Sequence, residues 1–301
     1  MSLDSHPTLP EFDYISPTTL LEASQFLAQH AEQARPFLGG TDVLVRMRDG
    51  FLKPRFLVDV KNLPGMRELA FNPAQGLTIG SAVTMNQLIA SPAVQKHYPL
   101  LAEACQSVAS YQLRNRATVA GNICNASPAG DTLGACLALD ARLQIYGLHG
   151  KRFEALSSFF LGPGKTSLAH GDLVTAIHLP PPKKGAVGRY LKLGRNKLSD
   201  LAIVAVTVLG WPEVELPSSM RIRVALSSVA PTPLLLLNVE NYLAERTITS
   251  TSVLEAAAMA AEACAPIDDI RSSARYRKGM VKNLTIRALH EVLEKLGKPA
   301  L

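Results

Sequence analysis

Apolar positions in the first sixty residues fall into two registers. Leu20, Ala23, Leu27 and Ala31 recur at three- and four-residue spacing, the period of one helix face. Ser16 offers a cap for that helix and Pro17 a first-turn residue. Beyond it, Pro36-Phe37-Leu38 reads as a short buried strand running into Gly39-Gly40-Thr41-Asp42. Val43 to Met47 then predicts a short helix closed by Asp49-Gly50, and Phe56 to Val60 a further strand. The pattern is a small α/β unit with a glycine turn at the end of a strand.

From Leu77 to Ile145 helices and strands continue to mix, with a capped helix expected from Thr84 to Ile89 and another from Leu100 to Val108. Arg114 to Asp131 shows no clear period and is rich in Asn, Gly, Ala and Pro; it reads as a functional loop. Pro180-Pro181-Pro182-Lys183-Lys184-Gly185 is the best linker, which divides the chain near residue 181. Leu201 to Leu209 and Arg221 to Val229 then predict strands, followed by helices to the end. On the terminal helix Arg271, Arg275, Lys278 and Lys282 are expected on one face, opposite Val281, Leu284 and Ala288. That basic face is either simply solvated or a docking surface for an acidic partner.

Composition removes whole classes of function. The 301 residues are 47% apolar and 19% charged, with 20 Gly and 20 Pro, which argues against disorder, collagen-like repeats and coiled coil. The uncharged run Val224 to Val239 has 16 residues and carries Pro231 and Pro233, too short and too broken for a membrane span. Met1 to Pro10 lacks a basic patch followed by an apolar stretch, so a cytoplasmic location is expected. Cys105, Cys124, Cys136 and Cys264 form no Cys-x-x-Cys pair, and the seven histidines are scattered, so no metal site is expected on this chain. A net charge of +6 with no recognition motif makes nucleic acid a poor partner.

Two phosphate-binding patterns fail on inspection. Gly162-Pro163-Gly164-Lys165-Thr166 resembles the tail of a P-loop, but Phe159 stands where its first glycine belongs. Ser167 spoils the only near match to Gly-x-Gly-x-x-Gly. The turn Gly39-Gly40-Thr41-Asp42 is better: two glycines after a strand let amides approach an anion, and the following helix offers its positive end. Asp42 there reads as a helix cap, because a carboxylate repels phosphate. A second stretch, Arg114-Asn115-Arg116-Ala117-Thr118-Val119-Ala120-Gly121-Asn122, continues through Ile123-Cys124-Asn125-Ala126-Ser127-Pro128-Ala129-Gly130-Asp131. Its Thr118, Asn122 and Ser127, separated by small residues, suit a phosphate–sugar chain, and Asp131 can accept from a ribose hydroxyl or a ring edge.

With both motifs in this order, the chain resembles the FAD-binding medium subunit of the molybdenum hydroxylases, the group of xanthine dehydrogenase and aerobic carbon monoxide dehydrogenase. The likeness continues through Phe159 to Thr166, Asp172-Leu173-Val174, Lys192 to Arg195, Asp200-Leu201-Ala202, Tyr276-Arg277 and Arg287-Ala288-Leu289, essentially the whole chain. It implies an α+β fold. A two-subdomain FAD-binding domain of the vanillyl-alcohol-oxidase-like (PCMH-type) fold spans 1–180, divided at about residue 60, and a smaller C-terminal domain with an antiparallel sheet spans 181–301. It implies that Pro36, Phe37, Leu38, Gly39, Gly40, Thr41 and Asp42, with Thr118, Val119, Ala120, Gly121 and Asn122, grip the FAD diphosphate. Asp131 falls at a flavin contact, Val174 at a backbone contact near the ring, and Lys192 beside the isoalloxazine. Tyr190 either lies over the ring or packs in the core. Ala120 departs from the family pattern, adding a methyl where glycine is expected at the phosphate.

The resemblance further implies an electron-transfer role with no catalytic side chain on this chain. A large molybdopterin subunit and a small subunit with two [2Fe–2S] clusters are the expected partners, in a dimer of heterotrimers that passes electrons to an external acceptor. Asp131 to Asp140 has no cysteine-bearing insertion, so the additional [4Fe–4S] cluster of some relatives is not expected. Two rivals stay open on the sequence alone: a stand-alone flavin oxidase on the same fold, and a flavin-free scaffold.

Overall fold

The structure is a computed structural model that describes residues 8–196 and 199–298. Three larger sheets succeed one another along the chain, with a two-stranded ribbon of Phe160–Gly162 and Lys165–Thr166 beside the second. The first is parallel, with Phe56–Asp59 between Asp13–Ile15 and Ala34–Phe37. Pro36 sits on the edge strand, where its missing N–H leaves no ladder bond unmade. Helix Leu20–His30 covers this sheet through Ala23 and Leu27, which join Ala34, Phe56 and Val58 in one core. Its cap is Thr19, whose Oγ1 accepts from the Glu22 amide at 3.1 Å, and not Ser16; Pro17 and Ala31 lie outside the helix.

The second sheet is antiparallel, in the order Leu69–Asn72, Gly76–Gly80, Leu173–Leu179, Arg142–Gly147, Gly150–Ala155. Helices Met85–Ala90, Pro99–Gln106 and Val119–Asn125 pack Met85, Leu88, Leu101, Val119 and Ile123 against it. Thr84 closes a capping box with Gln87 at the first of these, as its sequence predicts. The stretch Arg114 to Asp131, expected to be an aperiodic loop, is helical over Val119–Asn125. Seven residues make barely two turns, too few for small side chains to display a period.

The third sheet is antiparallel too: Val187–Leu193, Val204–Pro212, Met220–Ser227, Leu234–Leu235. Helices Leu237–Ala244, Ser250–Ala263 and Ala274–Lys295 follow it. On one face Val204, Val206 and Val208 meet Val281, Leu289 and Val292; on the other Ala205, Leu209 and Trp211 meet Leu100, Ala104 and Ala135. Burial on both faces explains the near-continuous apolar run of this strand, broken only by the buried Thr207. The strand starts at Val204, with Leu201 exposed ahead of it. Arg271 lies before the terminal helix, which Ser273 caps, and pairs with Asp269; Arg275, Lys278 and Lys282 remain exposed on the helix.

Candidate functional site

The two turns singled out by sequence touch each other. A Cβ on Gly39 would fall 2.1 Å from the Arg116 carbonyl oxygen, so only glycine lets the turns close to this distance. Gly40 takes φ +74°, and a Cβ there would strike the Phe37 ring at 2.6 Å. Asn125 Nδ2 donates to Asp42 Oδ1 at 3.2 Å and ties the two segments a second time. Asp42 is therefore not the side-chain cap its position suggests. Its backbone, at φ −98° and ψ −43°, is already helical and does not turn the carboxylate back onto the first turn.

What the junction presents is a set of amides. Among the described residues, the N–H groups of Gly39, Gly40, Thr41, Asp42 and Val43 donate to no protein acceptor. The same holds for Val119 and Ala120 at the start of the next helix, although both residues are buried. Thr118 Oγ1 accepts from the Gly121 amide at 2.9 Å and so caps that helix. Two helix starts with unengaged amides brought together make an anion cradle suited to a diphosphate. Ala120 does not spoil it: the residue is buried in the core beneath the second sheet, and its φ is negative. Asn122 Oδ1 accepts from Thr132 Oγ1 at 2.7 Å, which leaves the Nδ2 group without a protein partner among the described residues. Ser127 Oγ accepts from the Ala129 amide at 3.3 Å and serves its own turn.

Pro36 and Phe37 belong to the strand that feeds the first turn, with the Lys61 ammonium 4.5 Å from the Phe37 ring centroid. Leu38 packs against the cores beneath both the first and the second sheets, so the turn is held by each subdomain. Val174 lies on the central strand of the second sheet, where its carbonyl accepts from Ser81 Oγ at 2.6 Å. The ladder with Gln144 and Ile145 shifts register just after it, a bulge that frees backbone from regular pairing.

A buried charged group forms where the second and third sheets meet. Lys192 Nζ donates to Asp131 Oδ2 at 2.8 Å and to the Ser107 carbonyl at 3.2 Å. Tyr190 OH donates to Asp131 Oδ1 at 2.7 Å. Tyr190 is buried in a core cluster with Leu100, Ala104, Ala135 and Ala205, so of the two alternatives for this residue it takes the core position. Burial raises the Asp131 carboxyl above its ordinary range, while Lys192 and Tyr190 pull it back toward ionisation. An ammonium has three protons and Lys192 commits two of them to protein; its side chain retains 14% exposure through which the third is offered.

Sequence reasoning missed Ser107, Ser81, Asn125 and Glu103. The first two act through a carbonyl and a local hydroxyl, which carry no motif. Asn125 lies within the second motif, where its spacing alone suggests no task. Glu103 accepts from the Tyr190 amide at 3.0 Å and pairs with Arg189, which also pairs with Glu291 of the terminal helix.

Residues 10–182 match the family described as FAD binding domain in molybdopterin dehydrogenase, and residues 189–292 the CO dehydrogenase flavoprotein C-terminal domain. The putative xanthine dehydrogenase FAD-binding subunit of Escherichia coli K12 is 32% identical, over 95% of this chain and 98% of its own length. The carbon monoxide dehydrogenase medium chain of Hydrogenophaga pseudoflava is 33% identical, over 93% and 96%. A solved carbon monoxide dehydrogenase from Hydrogenophaga pseudoflava, which lacks the Mo-pyranopterin moiety of its molybdenum cofactor, superposes with TM-score 0.91 at 32% identity, covering 96% of this chain and 99% of that one.

The fold and these matches define an FAD-binding flavoprotein of the oxidoreductases, with an antiparallel C-terminal sheet. The chain belongs to the FAD-binding medium-subunit family of the molybdopterin dehydrogenases.

Proposed function

We propose that this chain is the electron-transfer subunit of a heteromeric molybdenum-containing dehydrogenase. In this reading a small subunit with two [2Fe–2S] clusters delivers electrons from a large molybdopterin subunit, and an external acceptor removes them here. The single observation that carries it is the pair of adjoining turns, each opening a helix with unengaged amides, lying one loop away from a part-buried ammonium. Bound FAD would supply a centre that exchanges electrons singly or in pairs.

The residues have distinct tasks in this reading. Gly39, Gly40, Thr41 and Asp42 hold the diphosphate through their amides, with Val119 and Ala120 facing them; Thr118 and Gly121 fix the second helix start. Asn122 donates its free amide group to the phosphate–ribose chain. Pro36, Phe37 and Leu38 seat the first turn. Val174 offers backbone at the bulge to the ring edge, and Asp131 with Lys192 presents a compensated charge beside it. A lysine there favours negative charge on the reduced ring. No side chain is asked to act as acid or base for the molybdenum step. The FAD-binding domain is taken as 1–180 and the C-terminal domain as 181–301. The complex is taken as a cytoplasmic dimer of heterotrimers; among the described residues no helix is long and apolar enough to cross a membrane.

The visible spectrum of the purified chain tests this, with the released cofactor identified by mass. Flavin bands, no iron–sulfur shoulder and released FAD are expected, with co-purification of an iron–sulfur and a molybdopterin subunit from the native source. A chain that stays colourless after incubation with excess FAD would sink the reading.

A further inference from the structure

We propose that Tyr190 is a positioning residue for the ion pair at the flavin ring: its hydroxyl holds the Asp131 carboxylate in the orientation and charge state that keep Lys192 paired. This rests on the proposed function, in which FAD binds with its ring beside Lys192. Residues 190 and 192 sit two apart on one strand and therefore share a face, which brings hydroxyl and ammonium to opposite oxygens of one carboxylate. Asp131 is 7% exposed, so water cannot replace a lost donor freely. The Tyr190 ring is 5% exposed and belongs to an apolar cluster with Leu100, Ala104 and Ala205, which holds it in place. Its backbone is pinned as well: the amide donates to Glu103 Oε2, and the preceding Arg189 bridges Glu103 to Glu291.

The hydroxyl therefore acts on the flavin through two other side chains. While Asp131 is ionised it offsets much of the Lys192 charge; once it is protonated, the ammonium acts on the ring uncompensated. The titratable and charged groups on the elements around Asp131 are few. Strand Val187–Leu193 brings Arg189, Tyr190 and Lys192; helix Pro99–Gln106 brings Glu103 and Cys105; helices Val119–Asn125 and Leu133–Ala138 bring Cys124 and Cys136. Burial pushes the Cys124 and Cys136 thiols up to about 12 and the Cys105 thiol higher still, so all three stay neutral across the working range. Arg189 is already paired with two carboxylates. Lys192 and Tyr190 are left as the direct controls on Asp131.

The test is the midpoint potential of the full chain loaded with FAD, followed against pH together with FAD stoichiometry. Tyr190→Phe keeps the ring and its packing while removing the donor. It is expected to retain FAD, to raise the potential at neutral pH, and to move the inflection of the pH profile upward by about one to two pH units. Asp131→Asn should erase that inflection. 3-Fluorotyrosine incorporated at position 190, a stronger donor of the same shape, should move it downward, and this chain carries the test if Tyr190→Phe does not fold. A Tyr190→Phe profile that overlays the wild type overturns the proposal, as does an inflection that survives Asp131→Asn. Failure of the wild-type chain to take up FAD overturns instead the reading on which the proposal rests.

Discussion

Ala120 shows how much a single methyl depends on where it lies. By position in the second motif it stands against a phosphate; in the folded chain it is buried in the core beneath the second sheet, and its amide donates to no protein acceptor among the described residues. Reversion to the family glycine is then expected to harm. Ala120→Gly removes a buried methyl and a good helix former, costing about 1–2 kcal/mol of stability. FAD affinity should be unchanged. Urea unfolding beside an FAD titration measures both, and a mutant that binds FAD more tightly without loss of stability contradicts this account. Asp131 behaves differently. Its ionised form is the costly one in the fold, so its burial detracts from stability as pH rises, a cost tolerated at a site that needs a buried charge pair.

Helix Val119–Asn125 carries the second half of the cradle, and its seven residues hold together for reasons outside themselves. Short helices are marginal in water. This one is held by Val119, Ala120 and Ile123 in the core, by the Thr118 cap, and by the Asn122 bond to Thr132. Thr118→Ala should cost about 0.5–2 kcal/mol through the lost cap and, in the proposed reading where the same first turn holds the diphosphate, should weaken FAD binding in parallel. Thr118→Ser, which restores the hydroxyl, should recover both. Thermal unfolding with and without FAD separates the two effects: equal melting shifts in both states would show that the cap serves stability alone.

At the scale of the molecule, carboxylates tie neighbouring elements together beside the apolar packing. Burial works against ionisation of Asp172, yet two bonds from Arg152 and one from the Ala169 amide outweigh it and hold the carboxyl below its usual range. Glu291 is likewise lowered: burial opposes, and Arg189 and Arg287 prevail. Glu213 is lowered chiefly by its bonds from Arg221. An acid with a lowered folded pKa contributes stability that is fully present above its unfolded value and is lost as pH falls through the folded one. Stability should therefore hold above about pH 5 and decline through and below about pH 4, where unfolded carboxylates titrate. Melting temperatures across that range check it; a midpoint that stays flat down to about pH 3 would show that these pairs contribute nothing.

Much of the site is legible in the amino-acid sequence. The order of the two turns, the small residues between their polar ones, and the matching positions down to Lys192 depend on residue types at fixed spacing, which sequence displays directly. The strand Val204–Pro212 is visible as an apolar run, and the cap at Thr84 as a local motif, because each is decided within a few residues. Three features are not legible there. The approach of Gly39 to the Arg116 carbonyl, the burial of Ala120 and the capture of Asp131 by Tyr190 and Lys192 join residues far apart in the chain. Sequence determined which groups were available to hold a flavin. The tertiary structure alone decided which of them face one another, because separation in space, burial and the direction of each Cα–Cβ bond exist only once the three sheets have packed.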